Sequence, residues 1–249
     1  MQTYTITSRQ NPTVKTWLDL RKDKQAEIFI VEGAHLVEMA ALNHHLLAYI
    51  GIAETTLYSD VDHYVIHPSI AEKLSEMKTT PGIFGLCKKM KSQLDFSKPI
   101  LFLDDLRDPG NMGTMMRSAL AFGFINVVAS QNSVNFYHEK VITSGQGAHF
   151  ALHLILQDFN DLYQQAKLEG YTLVVTTLEA AKPLTTLDKT DKIMLVIGNE
   201  ARGVSPEILA KADQRLRIDM NHQIESLNAG VAASIIMHHH YNLKTHEEQ

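Results

Sequence analysis

Cysteine is nearly missing from this chain: Cys87 is the only one in 249 residues. An intrachain disulfide and a thiolate-rich zinc site are therefore excluded. Cys87 follows an apolar stretch with no base beside it in the sequence, so a packed thiol is expected rather than a nucleophile. Long hydrophobic runs are missing as well. Nothing approaches the ~20 residues of a membrane span, and the polar start Met1-Gln-Thr-Tyr-Thr5 has no signal-peptide core, so a cytoplasmic location without a membrane partner is expected. Nor is there an excess of basic charge. The formal net charge is −5 and the pI near 6.2, which argues against coating nucleic acid by bulk electrostatics. The chain has no Walker A loop, no His-Glu-x-x-His, no internal repeat and no low-complexity segment. The nearest approach to a dinucleotide fingerprint, Gly145-Gln-Gly147, lacks both the third glycine and the preceding strand.

Metal ligands are not expected either. His238, His239 and His240 are consecutive, so on a helix they point in different directions and cannot converge on one ion. Their expected place is the surface or a dimer contact. Asp104, Asp105 and Asp108 stand at a strand end and a helix entry, where carboxylates serve as caps.

What is present is a sequence able to build a real core. Apolar residues make up 45% of the chain and the mean hydropathy is −0.12, values of a soluble globular protein with one large domain or two modest ones. Its basic charge is local. Residues 1–24 carry Arg9, Lys15, Arg21, Lys22 and Lys24 against Asp19 and Asp23, a net of +3, and Lys78, Lys88, Lys89 and Lys91 follow with no acid between Lys78 and Lys91.

Periodicity and turn residues divide the chain near residue 95. Before it, the pattern predicts helices over 11–20, 34–42 and 69–77 and strands over 28–31 and 47–52, a small mixed α/β unit. Asp95-Phe-Ser-Lys-Pro99 reads as a linker. Beyond it strands and helices alternate: strands at 100–104, 125–129, 151–155, 171–176, 193–197 and 215–218, helices at 111–122, 138–144, 158–169, 205–211 and 226–241. Strands such as Ile193-Met-Leu-Val-Ile197 are apolar throughout, as in a parallel sheet covered on both faces, so 96–249 is expected to be an α/β domain. The last residues, Lys244 to Gln249, are expected to fray.

Ligands of such sheets sit beyond the carboxyl ends of the strands, and three segments fall there. The run Leu101-Phe-Leu-Asp-Asp breaks into Pro109-Gly110 and presents Asn111, Gly113 and Arg117 at fixed offsets. Its turn opens a helix whose free N–H groups suit a phosphate or carboxylate. Six residues on, Arg117 is expected to return its guanidinium toward that loop. Gly198-Asn-Glu200-Ala-Arg-Gly203 sets a carboxylate between glycines, where backbone can approach a ligand closely. Ser226-Leu-Asn228 opens an apolar helix rich in small residues, Ala229 to Met237.

Taken in this order, the three segments resemble motifs one, two and three of the SpoU-type RNA ribose 2′-O-methyltransferases of the SPOUT superfamily. Asn-x-Gly-x-x-x-Arg is matched by Asn111, Gly113 and Arg117; Gly-x-Glu-x-x-Gly by Gly198, Glu200 and Gly203; Ile-Pro-Met…Ser-Leu-Asn by Ile218, Met220, Ser226, Leu227 and Asn228. Ser144-Gly-Gln-Gly147-Ala148 is similar to the family's Ser-x-Gly-Ala element. Thr7-Ser-Arg-Gln-Asn-Pro-x-x-Lys15 and Phe29-Ile-Val-Glu-Gly33 resemble the small ribosomal-protein-like domain that often precedes the catalytic one. Asp219 replaces the usual proline, His222 or Gln223 a common glycine, and Ala229-Gly230 the typical Val-Ser. Pro81-Gly82 lacks the glutamine often found between them.

The resemblance implies a substrate RNA-binding domain over 1–95 and a SPOUT methyltransferase domain over 96–249. The latter would be a parallel sheet with a C-terminal trefoil knot that holds S-adenosylmethionine, in a homodimer that needs no metal. It implies Asn111, Arg117, Glu200, Ser226 and Asn228 at the ribose and methyl donor, and Thr177, Gly198, Ile218, Met220 and Leu227 around the cofactor. The implied reaction is methylation of a ribose 2′-hydroxyl in structured RNA, ribosomal RNA first. Transfer RNA, a base or small-molecule acceptor, and an inactive RNA-binding protein of the same fold are the alternatives.

Overall fold

The computed structural model describes residues 2–23, 25–188, 190–221 and 223–245, and the chain forms two compact units. Lys24, His222 and the tail from 246 onward lie outside the described residues.

The first unit comprises residues 1–91 and 137–150. Its strands are β1 (Thr3–Ile6), β2 (Ile28–Glu32), β3 (Leu46–Gly51), β4 (Asp62–Ile66) and β5 (Ile83–Lys88); its helices are α1 (Pro12–Leu20), α2 (Ala34–Leu42), α3 (Pro68–Leu74) and α5 (Glu139–Gly145). The sheet order is β1-β4-β3-β5-β2, with β1, β4 and β3 parallel and β5 antiparallel to both β3 and β2. Alternation on β2 separates the two faces. Ile30 joins Val14, Trp17, Ile50, Ile70 and Phe84 under α1 and α3, whereas Phe29 and Val31 join Val37, Leu46, Cys87, Ile142 and Phe150 under α2 and α5. Ile142 and Phe150 explain why 137–150 packs here although its sequence lies beyond residue 95. Cys87 is fully buried in that second layer, and burial pushes its thiol well above the ordinary range, as befits a packed thiol. Gly145-Gln-Gly147 ends α5, with Gln146 left-handed at φ 48°, and follows no strand.

The second unit comprises 92–136 and 151–249. It holds β6 (Ile100–Leu103), α4 (Pro109–Ala121), β7 (Asn126–Ala129), β8 (His153–Leu156), α6 (Phe159–Leu168), β9 (Thr172–Thr176), β10 (Lys182–Pro183), β11 (Ile193–Ile197), α7 (Pro206–Lys211), β12 (Gln214–Arg217) and α8 (Ala229–Thr245). All seven strands run parallel in the order β10-β12-β9-β11-β6-β7-β8. The expected α/β class with a parallel sheet is what the second unit has. Every residue of β6, β7 and β11 is buried, the pattern of strands covered on both faces. From β6 the chain proceeds outward through β7 and β8, then crosses to the other side, so β6 and β11 meet where the direction of winding reverses. That is where open α/β sheets bind ligands. Within this unit α4 packs on α8, with a hydrogen bond of 2.7 Å between Ser118 Oγ and Ser234 Oγ.

Among the described residues no helix is long and apolar enough to cross a membrane. The histidine run departs from expectation: His238 is exposed, but His240 is 1% exposed, against the Phe124 ring and with Nε2 2.8 Å from the Thr190 carbonyl. The helical turn that spreads the three rings sends His240 into the core. Helix α8 also continues to Thr245, past the point where fraying was expected to begin.

Candidate active site

The loops after β6, β11 and β12 leave adjacent or next-adjacent strands at one edge of the sheet, and short hydrogen bonds stitch them together. Asp104 Oδ2 accepts from the Ser205 N–H at 2.8 Å, and Asn199 Nδ2 donates to the Asp105 carbonyl at 2.8 Å. Asp105 sits at φ 53°, a left-handed conformation that aspartate tolerates better than most residues, and its carboxylate pairs with Arg107 and Arg202. Asp108 is the N-cap of α4, accepting from the Asn111 N–H at 2.7 Å. The three aspartates thus act as caps and ties, and among the described residues no cluster of histidine, cysteine or carboxylate side chains could hold a metal.

Glu200 stands at the centre of this stitching. Its Oε1 accepts from the Asp108 N–H and from Asn111 Nδ2, both at 3.1 Å, and its Oε2 accepts from the Arg107 N–H at 3.3 Å. Asn111 Oδ1 in turn accepts from Asn228 Nδ2 at 2.8 Å. Asn228 Oδ1 accepts from the N–H groups of Gly230 and Val231 at 2.9 and 3.2 Å, capping α8. The direction of this line is fixed by its ends. Free helix N–H groups require the Asn228 oxygen, which turns its amide toward the Asn111 oxygen and leaves the Asn111 amide for a carboxylate. Burial by itself would raise the Glu200 pKa, but the hydrogen bonds from Asn111, from its own N–H and from Asp108 and Arg107 outweigh it, and the pKa is lowered. One carboxylate therefore holds the entry of α4, and through two asparagines it is linked to the entry of α8.

Gly198 is held for a different reason from the one its sequence context gives. A Cβ there would lie 2.2 Å from Gly203 C and Val204 N and 2.4 Å from Gly203 O. The crowding comes from the chain's own backbone, because Asn199 and Gly203 close a tight hairpin with N–H···O distances of 3.0 and 2.8 Å, Gly203 turning at φ 69°. This narrow loop presents Glu200 at its tip.

Of the other residues singled out in the sequence, Thr177 follows β9, its N–H donating to the Leu216 carbonyl at 3.0 Å and its Oγ1 accepting from the Glu179 N–H at 3.2 Å. Ile218 and Met220 follow β12, and both are half-buried, as is Leu227. Ser226 is exposed and makes no hydrogen bond to the Glu200–Asn111–Asn228 line. Arg117 departs most from expectation. Six residues at ~100° each carry it about 240° around α4 from Asn111, so Asn111 is 8% exposed while Arg117 is exposed, with no ion pair or hydrogen bond among the described residues. It does not return to its own loop. Sequence reasoning gave Asn199 no role and Asp105 only that of a cap, although the pair shapes the hairpin. An asparagine after a strand is a common turn residue, and nothing in the sequence marks the left-handed Asp105.

The family model for the SpoU rRNA methylase family matches residues 98–238. The chain is 31% identical to a 23S rRNA (guanosine(2553)-2′-O)-methyltransferase of Bacillus subtilis, over 94% of this chain and 98% of that protein. It is 29% identical to the human mitochondrial rRNA methyltransferase 3, over 66% of this chain and 53% of that protein. Among solved structures, an AdoMet-bound rRNA methyltransferase from Sinorhizobium meliloti superposes with a TM-score of 0.86 at 22% identity, covering 96% of this chain and 98% of that one. An RNA 2′-O ribose methyltransferase structure gives 0.82 at 24% identity, covering 96% and 99%. At those identities the structures establish the fold, and the sequence matches establish the kinship: this chain belongs to the SpoU rRNA methylase family.

Proposed function

We propose that the protein transfers a methyl group from S-adenosylmethionine to a ribose 2′-hydroxyl of structured RNA, ribosomal RNA first. The observation that carries this reading is the Glu200–Asn111–Asn228 line, which brings one residue from each of three separate motifs into hydrogen-bonding contact at the ligand edge of the sheet. The cofactor fits the residues there. The edge offers backbone and half-buried apolar side chains at Gly198, Ile218, Met220 and Leu227, with Thr177 beside them. In this reading the last part of the second unit is threaded as a trefoil knot around that cofactor site. When bound, S-adenosylmethionine supplies an electrophilic methyl carbon on a sulfonium and a neutral thioether leaving group. The protein's part is chiefly positioning. Arg117 stabilises the charge that develops on the 2′-oxygen, and the hydroxyl proton leaves through a substrate phosphate.

Arg117 faces away from its own loop, and this supports a homodimer in which each Arg117 serves the partner's cofactor site. Helix α8, packed on α4, carries Val231 and Ile235 exposed one turn apart, an apolar surface suited to such a contact. Residues 1–95 are assigned to substrate RNA binding and 96–249 to catalysis, with 137–150 contributing to the packing of the first. The location is cytoplasmic. Subunit mixing tests the shared site: Arg117→Ala and Asn228→Ala are each expected to be inactive, and after subunit exchange about a quarter of the sites should regain both residues, because one site of each mixed dimer would be intact. If exchange is demonstrated and the mixture stays inactive, Arg117 acts within its own chain. Transfer of labelled methyl to ribosomal RNA rather than transfer RNA tests the substrate.

A further inference from the structure

The loop after β9 and the segment after β12 leave neighbouring parallel strands, and both belong to the proposed cofactor walls, Thr177 on one, Ile218 and Met220 on the other. Backbone bonding between them is sparse. Strand β12 pairs with β9 only as far as Thr176, Thr177 adds one bond to the Leu216 carbonyl at 3.0 Å, and β10 offers just Lys182 and Pro183. Between Thr177 and β10 the chain turns through Ala180 at φ 51°, a left-handed conformation that alanine keeps only when its surroundings impose it. Leu178, Glu179 and Ala180 are all exposed, so packing does not impose it.

Arg217, the last residue of β12, supplies the constraint. Its Nη1 donates to the carbonyl of Ala181, the residue after the left-handed turn, and its Nε donates to Asp219 Oδ1 at 3.1 Å. One planar guanidinium thus bridges the two segments, with donor directions that an ammonium does not fix. Asp219 stands between Ile218 and Met220 in the chain, and its carboxylate has no other hydrogen bond or ion pair among the described residues. With side chains 40% and 62% exposed, the pair adds little to the stability of the whole fold. Its effect is local, on the two segments it joins. We infer that Asp219 is a positioning residue for the cofactor: through Arg217 it holds the 177–181 loop against the 218–220 segment, so that both walls are set before the ligand arrives. The inference rests on the S-adenosylmethionine reading of this edge.

The test compares the full chain with Asp219→Ala, which removes the carboxylate from an exposed position. Calorimetric titrations use S-adenosylmethionine and S-adenosylhomocysteine, and hydrogen exchange is followed without either ligand. Asp219→Ala is expected to bind both ligands roughly threefold or more weakly and to melt within about a degree of wild type. The Thr177 and Glu179 amides, which donate to the Leu216 carbonyl and to Thr177 Oγ1, should exchange faster while those of β9 and β11 are unchanged. Arg217→Ala should weaken binding too, and adding Asp219→Ala to it should cost nothing further. Unchanged affinity, or unchanged exchange at Thr177 and Glu179, overturns the inference. Weaker binding of S-adenosylmethionine alone overturns it as well, because only that ligand carries the sulfonium charge and the carboxylate would then be touching it. A melting temperature lowered by several degrees, with exchange quickened throughout the second unit, marks a purely structural role and also overturns it. If wild type binds neither ligand while the local exchange difference is present, the cofactor reading fails and the tie between the loops stands.

Discussion

Replacing Gly198 by alanine tests how the Asn199–Gly203 hairpin is built. The new Cβ would lie 2.2 Å from two backbone atoms and 2.4 Å from a third, none of which can rotate away. To restore the ~3.5 Å of an ordinary carbon contact the hairpin must open by about 1 Å or more. Overpacking of this kind costs ~1–3 kcal/mol, and weakening the paired Asn199–Gly203 hydrogen bonds adds ~1 kcal/mol or more. The expected loss is about 2–5 kcal/mol, or roughly 4–20 °C in Tm for a protein of this size. Gly170→Ala is the control. Gly170 has a positive φ of 80°, yet nothing lies within 4 Å of its would-be Cβ, so only the ~1 kcal/mol of backbone strain applies. Calorimetric unfolding of both variants, with cofactor titration of each, separates the two costs. Gly198→Ala should be clearly the less stable and should bind cofactor weakly, because Glu200 moves with the hairpin. A Gly198→Ala protein that melts within a degree of wild type would refute the argument from close approach.

Arg117→Ala should leave Tm and cofactor affinity within error while turnover falls at least a hundredfold, since the side chain is exposed and has no partner among the described residues; calorimetry and single-turnover methyl transfer check this. Glu200 has a lowered folded pKa, so its stabilising contribution is complete above the unfolded value of about 4.3 and is lost as pH falls through the folded value. Melting curves from pH 7 to 3 should show wild type losing that increment in acid and Glu200→Gln losing less of it. Asn111→Ala should cost ~1–3 kcal/mol by removing its hydrogen bonds to the Glu200 carboxylate and from Asn228, and a double-mutant cycle with Asn228→Ala should show coupling of at least 0.5 kcal/mol. Replacing the exposed Lys15, Lys22, Lys88 and Lys91 by glutamine should flatten the salt dependence of RNA binding by roughly one slope unit for each phosphate that goes unneutralised, without changing cofactor affinity.

How much of this was legible depended on how local each cause is. The bounds of α2 and β11 match the reading of the sequence, because Ala34–Leu42 begins after a glycine and Ile193–Ile197 is an unbroken apolar run. By contrast β1 and β4 went unread, since Thr3–Ile6 exposes three of its four residues and Asp62–Ile66 mixes polar and apolar positions without alternation. The allegiance of 137–150 was hidden because it depends on Ile142 and Phe150 meeting strands more than 90 residues earlier. The three motif loops were found from their glycines, asparagines and strand ends, yet their bonding was not. That Glu200 would bond Asn111, and Asn111 bond Asn228, follows from strand order, which periodicity does not reveal. The side of α4 taken by Arg117 was legible in principle, since 3.6 residues per turn separate it from Asn111.

The central claim is ribose methylation of RNA, and nucleoside mass spectrometry tests it most directly. RNA from cells lacking the gene is incubated with the protein and S-adenosylmethionine, digested to nucleosides and compared with an Arg117→Ala control. A single new 2′-O-methylated nucleoside is expected in the ribosomal RNA, absent from the control. A base-methylated nucleoside, or no new methyl group in any RNA, would contradict it.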